Sequence, residues 1–170
     1  MRRRTKVKSP GSLQEAIQQH QPFHNRQQEA YLSILRTGIE LSHSTDRFLK
    51  KFGITQAQYN VLRILQGAGS DGLGRNEISQ RMVAITPDMT RLLDRLEVAG
   101  LVSRTKHSVD KRQTSTTITG AGKALLRRVA GPLLQHHKTQ LRAISSAEAD
   151  ALLAAMNAIR MQLLEISESR

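Results

Sequence analysis

Cysteine is absent from the 170 residues of this chain. That excludes disulfides, thiolate metal sites and any sensing device built on cysteine oxidation. Tryptophan is absent too, and aromatics make up only 3%, so a core must be assembled from leucine, isoleucine, valine and alanine. Such a core suits helices and is thin enough to invite burial between subunits. The longest apolar runs, such as Ala151 to Met156, are far too short to span a bilayer. No apolar segment follows the cations of Met1 to Lys8 to make a signal peptide, so the expectation is a soluble, cytoplasmic protein with no membrane partner.

Acid is also scarce. Against 26 lysines and arginines stand 14 aspartates and glutamates, a formal net charge of +12. The partner implied is acidic, most simply nucleic acid. A Gly-rich phosphate loop, H-E-x-x-H and G-x-S-x-G are all missing, which leaves no catalytic constellation to assign and no cofactor to expect. The length allows one domain with a real core, or one domain extended by helices that need a partner.

The arm at residues 1–11 begins MRRRTKVK and ends in a Ser-Pro-Gly break. It reads as a solvated, disordered tail, or as an arm adding phosphate contacts. Ser12-Leu13-Gln14-Glu15 has capping-box spacing, which predicts a short helix to about His20. From Asn25 to about Lys51 the apolar positions Tyr31, Ile34, Leu35, Leu41, Phe48 and Leu49 predict a long amphipathic helix, ended by Gly53. A second capping box, Thr55 to Gln58, opens a helix expected to bury Tyr59, Leu62, Ile64 and Leu65 and to fade at Gly67 to Gly69. After a glycine-rich connection, a short helix from about Asn76 to Met82 turns Ile78 and Met82 inward.

Thr86-Pro87-Asp88 is a strong start signal, with Thr86 as N-cap, Pro87 at the first helical position and Asp88 in the first turn. The helix that follows, to about residue 99, places Met89, Leu92, Leu93 and Leu96 on one face and Asp88, Thr90, Arg91, Asp94 and Arg95 on the other. Two helices joined by a short turn, the second cationic on its outer side, have the form of a helix-turn-helix.

Leu101 to Lys106 and Gln113 to Ile118 are rich in valine, threonine and isoleucine and read as a hairpin around HSVDKRQ, residues 107–113. A hairpin directly after a helix-turn-helix makes a wing. Asp110 and Arg112 are two residues apart, so in an extended segment they point the same way, and the carboxylate can aim the guanidinium at a narrow minor groove. Lys111, facing the other way, suits a phosphate. Taken alone, the same residues also fit an ordinary solvated hairpin tip.

A helix after Thr119 holds Leu125, Leu126 and Val129 inside, with a kink or break expected at Gly131-Pro132. A third capping box at Ser145 to Glu148 opens a helix whose Leu152, Met156, Ile159, Leu163 and Ile166 repeat every 3.5 residues, the seam spacing of a coiled coil. A helix with that seam wants another helix against it.

The run RLLDRLEVAGLVSRTKHSVDKRQTSTTITGAGKAL, Arg91 to Leu125, closely resembles the multiple antibiotic resistance regulator (MarR) family of winged-helix transcription factors. It does so through Leu96-Glu97, Gly100-Leu101-Val102, Arg104, the Asp-x-Arg wing signature at Asp110 to Arg112, Ile118-Thr119 and Gly122. The similarity extends more loosely over Thr55 to Gln140. The resemblance implies a mainly α fold with a small β-hairpin wing, in which residues 12–52 and 125–170 form dimerisation helices around a winged helix-turn-helix at 53–124. It further implies a homodimer reading a pseudo-palindromic site in double-stranded DNA, with a repressor as the expected role. Its base-reading positions fall on Pro87, Asp88, Thr90 and Arg91 and its wing arginine on Arg112; Thr86, Arg95, Asp110 and Lys111 complete the expected DNA-binding set. Asp88 departs from the small polar residue relatives often carry there, and it either accepts from a cytosine amino group or caps the helix.

The resemblance also implies a small aromatic or anionic effector between the dimer helices and the winged module. Phe23, Tyr31, Phe48, Phe52 and Tyr59 fall where that crevice would lie, although core packing explains them equally well. His43, His136 and His137 show no i, i+4 pair of ligands, so they read as surface residues and no metal is expected. A second reading, a sequence-indifferent basic nucleic-acid protein, would require aromatic stacking platforms that the basic regions lack.

Overall fold

A computed structural model describes residues 12–106 and 114–169. The basic arm at 1–11 and the wing tip with Asp110, Lys111 and Arg112 lie outside the described residues. In chain order the elements are α1 (Leu13–Ala16), α2 (Arg26–Leu49), α3 (Gln56–Ala68), α4 (Arg75–Gln80), α5 (Met89–Val98), β1 (Val102–Lys106), β2 (Thr114–Ile118), α6 (Gly120–Gln140) and α7 (Ser146–Glu168), with a 3-10 turn at Lys50–Phe52 after α2.

All three expected capping boxes form, at Ser12 and Glu15, Thr55 and Gln58, and Ser145 and Glu148. α1 nevertheless stops well short of His20. It buries no side chain, so little beyond its cap holds it, and Gln18 leaves it in the left-handed region at φ 54°. Gly53 ends the turn after α2 at φ 77°, as expected.

The core gathers around the winged module. Leu49, Ile54, Val61, Leu62, Leu65, Ile78, Leu93, Leu96, Val102, Leu126 and Val129 are among its buried residues. On α3, Leu62 and Leu65 are buried as expected, Tyr59 and Ile64 are only half-buried, and Val61 is buried without having been foreseen. A wide stripe on a short helix touching α2, α4, α5, α6 and β2 accounts for the difference.

Gly131-Pro132 does not break α6, which runs through it. Proline forfeits one backbone hydrogen bond there. Leu125, Leu126 and Val129 before it and Leu133 after it are all buried, and that shared burial keeps the two halves in one helix.

β1 and β2 form an antiparallel pair with Val102 opposite Ile118, Arg104 opposite Thr116 and Lys106 opposite Thr114. Paired residues share a face, which puts Val102, Arg104, Thr116 and Ile118 toward the core side. Leu73 adds a bridge to Thr116, with N–H to carbonyl distances of 3.0 and 2.9 Å in the two directions. The connection between α3 and α4 is thereby stitched to the base of the wing.

α2 and α7 are different. The C-terminal half of α2 is tied to α3 and α6, through Ser42 Oγ to Gln56 Oε1 at 2.9 Å and Gln140 Nε2 to the Leu41 carbonyl at 3.3 Å. Its N-terminal half and centre leave Tyr31, Ile34, Leu35 and Ile39 exposed. α7 has no buried residue, and Leu152, Leu153, Ile159, Leu163, Leu164 and Ile166 are all exposed.

Candidate nucleic-acid interface

α5 begins at Met89, two residues later than the start signal suggested. Its N-cap is Asp88, whose Oδ1 accepts from the Arg91 backbone N–H at 3.0 Å, while the Thr86 hydroxyl turns back to the Ala84 carbonyl at 3.4 Å. A carboxylate is the stronger cap at the positive end of a helix, so it wins the position from threonine, and Pro87 is left outside the helix. Asp88 therefore caps, the second of its two sequence readings. Its other oxygen lies 3.2 Å from Arg91 Nε, so the cap also steers the guanidinium.

Met89, Leu92, Leu93 and Leu96 are buried, all four as the spacing predicts. Burying them turns Thr90, Arg91 and Arg95 outward, and all three are exposed. The described part of the expected set is thus one continuous edge: Thr86, Pro87 and Asp88 in the turn, then Thr90, Arg91 and Arg95 on the helix. Arg75, at the start of α4, joins it by donating to Thr90 Oγ1 at 3.3 Å. Asn60 of α3 holds the turn from behind, its Oδ1 accepting from the Val83 N–H at 2.8 Å. Neither was foreseen, because only the packing of α3 and α4 brings them there.

Arg104 was part of the family match without an assigned task. It projects from β1 between two acids of α5, with Nη2 2.5 Å from Asp94 Oδ1 and Nε donating to Glu97 Oε2 at 2.7 Å. Asp94 therefore serves the protein and not a ligand, and helix and wing are clamped in one orientation. The i, i+3 spacing of Asp94 and Glu97, facing a lone arginine on the next strand, was the available signal.

The hydrogen bond from Arg104 is the main cause that holds Glu97 below the ordinary carboxylate range, followed by desolvation acting the other way and then the Arg104 charge. A carboxylate whose folded pKa is lowered contributes stability that is complete above its unfolded pKa and is lost as pH falls through the folded one. The thermal midpoint of the wild type should accordingly fall further than that of Glu97→Gln between about pH 5 and pH 3. Parallel curves in a calorimeter would show that the clamp carries no charge-dependent stability.

A cavity of about 730 Å³ opens among α4, α5 and the wing, lined by Asp71, Arg75, Glu77, Thr90, Leu93, Arg104 and Ser115 among others. None of the aromatic side chains lines it. Phe48 instead packs within the fold, 5.6 Å from Phe52 and stacked 4.5 Å from His136, whose Nε2 lies 3.4 Å from Ser44 Oγ. His136 is therefore half-buried between α2 and α6 and not the surface residue expected. Among the described residues no histidine and carboxylate cluster could hold a metal ion, and no helix is long and apolar enough to cross a membrane.

The MarR family model matches residues 54–114, from the end of the 3-10 turn to the start of β2. A crystal structure of a MarR transcription factor from Planctomyces limnophilus is 33% identical and superposes with a TM-score of 0.63 over 81% of this chain and 99% of that one. The chain belongs to the MarR family. Among MarR relatives, the HTH-type transcriptional repressor YetL of Bacillus subtilis is 31% identical over 98 residues, 58% of this chain and 59% of YetL. The chain thus aligns with little more than half of such relatives' length. The transcriptional repressor CouR, solved bound to a 23-mer DNA duplex, is 26% identical with a TM-score of 0.65 over 75% of this chain and 89% of CouR. As a MarR protein, the chain has a mainly helical fold with a two-stranded wing, as its sequence implies.

Proposed function

We propose that this MarR-family chain is a homodimeric, sequence-specific DNA-binding transcription regulator, acting as a repressor on a pseudo-palindromic operator. The observation that carries this is the outward edge of α5: Thr90, Arg91 and Arg95 are exposed on a helix whose other face is locked into the core, and Asp88 holds Arg91 in direction. Such an edge suits the major groove, where arginine reads guanine and the helix N-terminus lies close to the bases. The repressor role is supported by YetL and CouR, both described as repressors. The exposed apolar faces of α2 and α7 support a second copy as their partner. Half-sites would then stand about 10 base pairs apart.

Selection of binding sites from random duplex DNA tests the reading. A palindrome is expected, and no enrichment above background would overturn it in favour of a sequence-indifferent nucleic-acid protein. Loss of that palindrome on adding a phenolic acid would place release by a small aromatic anion on the same regulator. On the selected site, Arg91→Ala should lose about 1 to 3 kcal/mol and relax preference at one position per half-site. Lys111→Ala should weaken all sequences alike, and Arg112→Ala should weaken chiefly sites with A·T-rich flanks. Equal losses for Arg91→Ala on every sequence would demote that residue to a phosphate contact.

A further inference from the structure

Among the described residues, Ile85 in the turn between α4 and α5 is the most exposed large hydrophobic side chain at 98%, and Val83 in the same turn is 85% exposed. The turn is not loose. Val83 is held by Asn60, Thr86 returns to Ala84, and Met89 just beyond is buried. Ile85 is thus presented on a fixed turn, with its side chain in water and nothing gained by burial within the chain.

The run VAITPD, Val83 to Asp88, contains no cation and one acid, in a chain with 26 lysines and arginines. The segment offers no side-chain cation to pair with a phosphate. It leads directly into the helix whose outward edge carries Thr90 and Arg91, so whatever that edge enters, the turn enters beside it. In the major groove the base edges offer donors, acceptors and one apolar group, the C5-methyl of thymine.

We propose that Ile85 is a specificity-determining residue that packs on a thymine C5-methyl in each half-site, with Val83 extending the apolar surface. The inference rests on the regulator reading above. It adds that each half-site carries a thymine facing the turn before α5, recognised through its methyl group and not through a hydrogen bond.

The test replaces thymine by deoxyuridine, which keeps the hydrogen-bonding edge and removes only the methyl. Full-length wild type and Ile85→Ala are titrated against the selected palindrome and against duplexes carrying uracil at one thymine position in both half-sites. At one position the wild type should lose about fourfold per half-site, and roughly fifteenfold in all, as expected for one buried methyl at each. Ile85→Ala should bind the parent duplex more weakly and no longer distinguish thymine from uracil there. Because Ile85 is in water, its replacement should leave the thermal midpoint unchanged.

If both proteins respond alike to every uracil, the methyl contact is overturned while the regulator reading stands on the palindrome itself. If Ile85→Ala leaves every DNA affinity unchanged, the apolar turn serves a protein contact and thymine reading is likewise overturned. Failure to select any palindrome overturns the regulator reading, and the methyl contact with it.

Discussion

Full-length protein carrying Ile159→Asp and Leu163→Asp should sediment as a monomer and bind its operator about 10²- to 10⁴-fold more weakly than the wild type. Both positions lie on the seam of α7, a helix with no buried residue and with Leu152, Ile159, Leu163 and Ile166 exposed along one side. The N-terminal half and centre of α2 are in the same condition, with Tyr31, Ile34, Leu35 and Ile39 exposed. Helices with such faces draw their stability from whatever covers them, and the 3.5-residue repeat suits another helix. Aspartate at the seam would have to shed its hydration on association, which opposes the dimer strongly. Once the subunits part, the second half-site is no longer reached intramolecularly, and the whole gain from linked contacts disappears. The buried core contains no residue of α7, so the winged module should keep its circular dichroism. A double variant that stays dimeric would place the subunit interface elsewhere.

Gly122→Ala should destabilise the fold by about 3 kcal/mol and weaken operator binding through the loss of folded protein. Gly122 lies in the first turn of α6, where a Cβ would stand 2.3 Å from the Leu101 carbonyl oxygen and 2.7 Å from Ile118 Cγ1. The carbonyl is backbone fixed by its neighbours: Leu101 N–H donates to the Leu96 carbonyl at 2.9 Å, and the Leu101 carbonyl accepts from Thr119 N–H at 3.1 Å. Thr119 adds its hydroxyl, which donates to the Gly100 carbonyl at 2.7 Å and accepts from Gly122 N–H at 3.1 Å. Nothing there can move without opening the joint between α5, the wing and α6. Gly67→Ala supplies the contrast. It sits in α3 with nothing within 4 Å of a new Cβ, and should gain about 0.5 to 1 kcal/mol. Denaturant midpoints of the two variants moving in the same direction would show that helix propensity, and not the Leu101 contact, governs Gly122.

Much of this arrangement was legible in the residues. The three capping boxes, the buried set Met89, Leu92, Leu93 and Leu96, and the two strands to within a residue at their starts follow from local patterns. Those patterns act over a few residues, where backbone donors, side-chain acceptors and helical periodicity meet within one turn. The candidate site was legible where it depended on the same periodicity, since burying the apolar face of α5 turns Thr90, Arg91 and Arg95 outward. It was not legible where distant residues compete for one position. Asp88 displacing Thr86 as cap, Arg75 reaching Thr90 and Arg104 closing on Asp94 and Glu97 each require knowing which elements pack together.

The sequence by itself determined the helical class, the helix-turn-helix with its wing and the basic character of the chain, because periodicity, capping and net charge survive without coordinates. Only the tertiary structure decided that Pro132 sits inside an unbroken helix, since burial on both sides of it outweighs one lost hydrogen bond. It alone decided that Asp94 is spent on Arg104 and unavailable to a ligand, and that Ile85 is left in water. Apolarity is written in the sequence; whether an apolar side chain finds a place in the core depends on which surfaces the fold brings together.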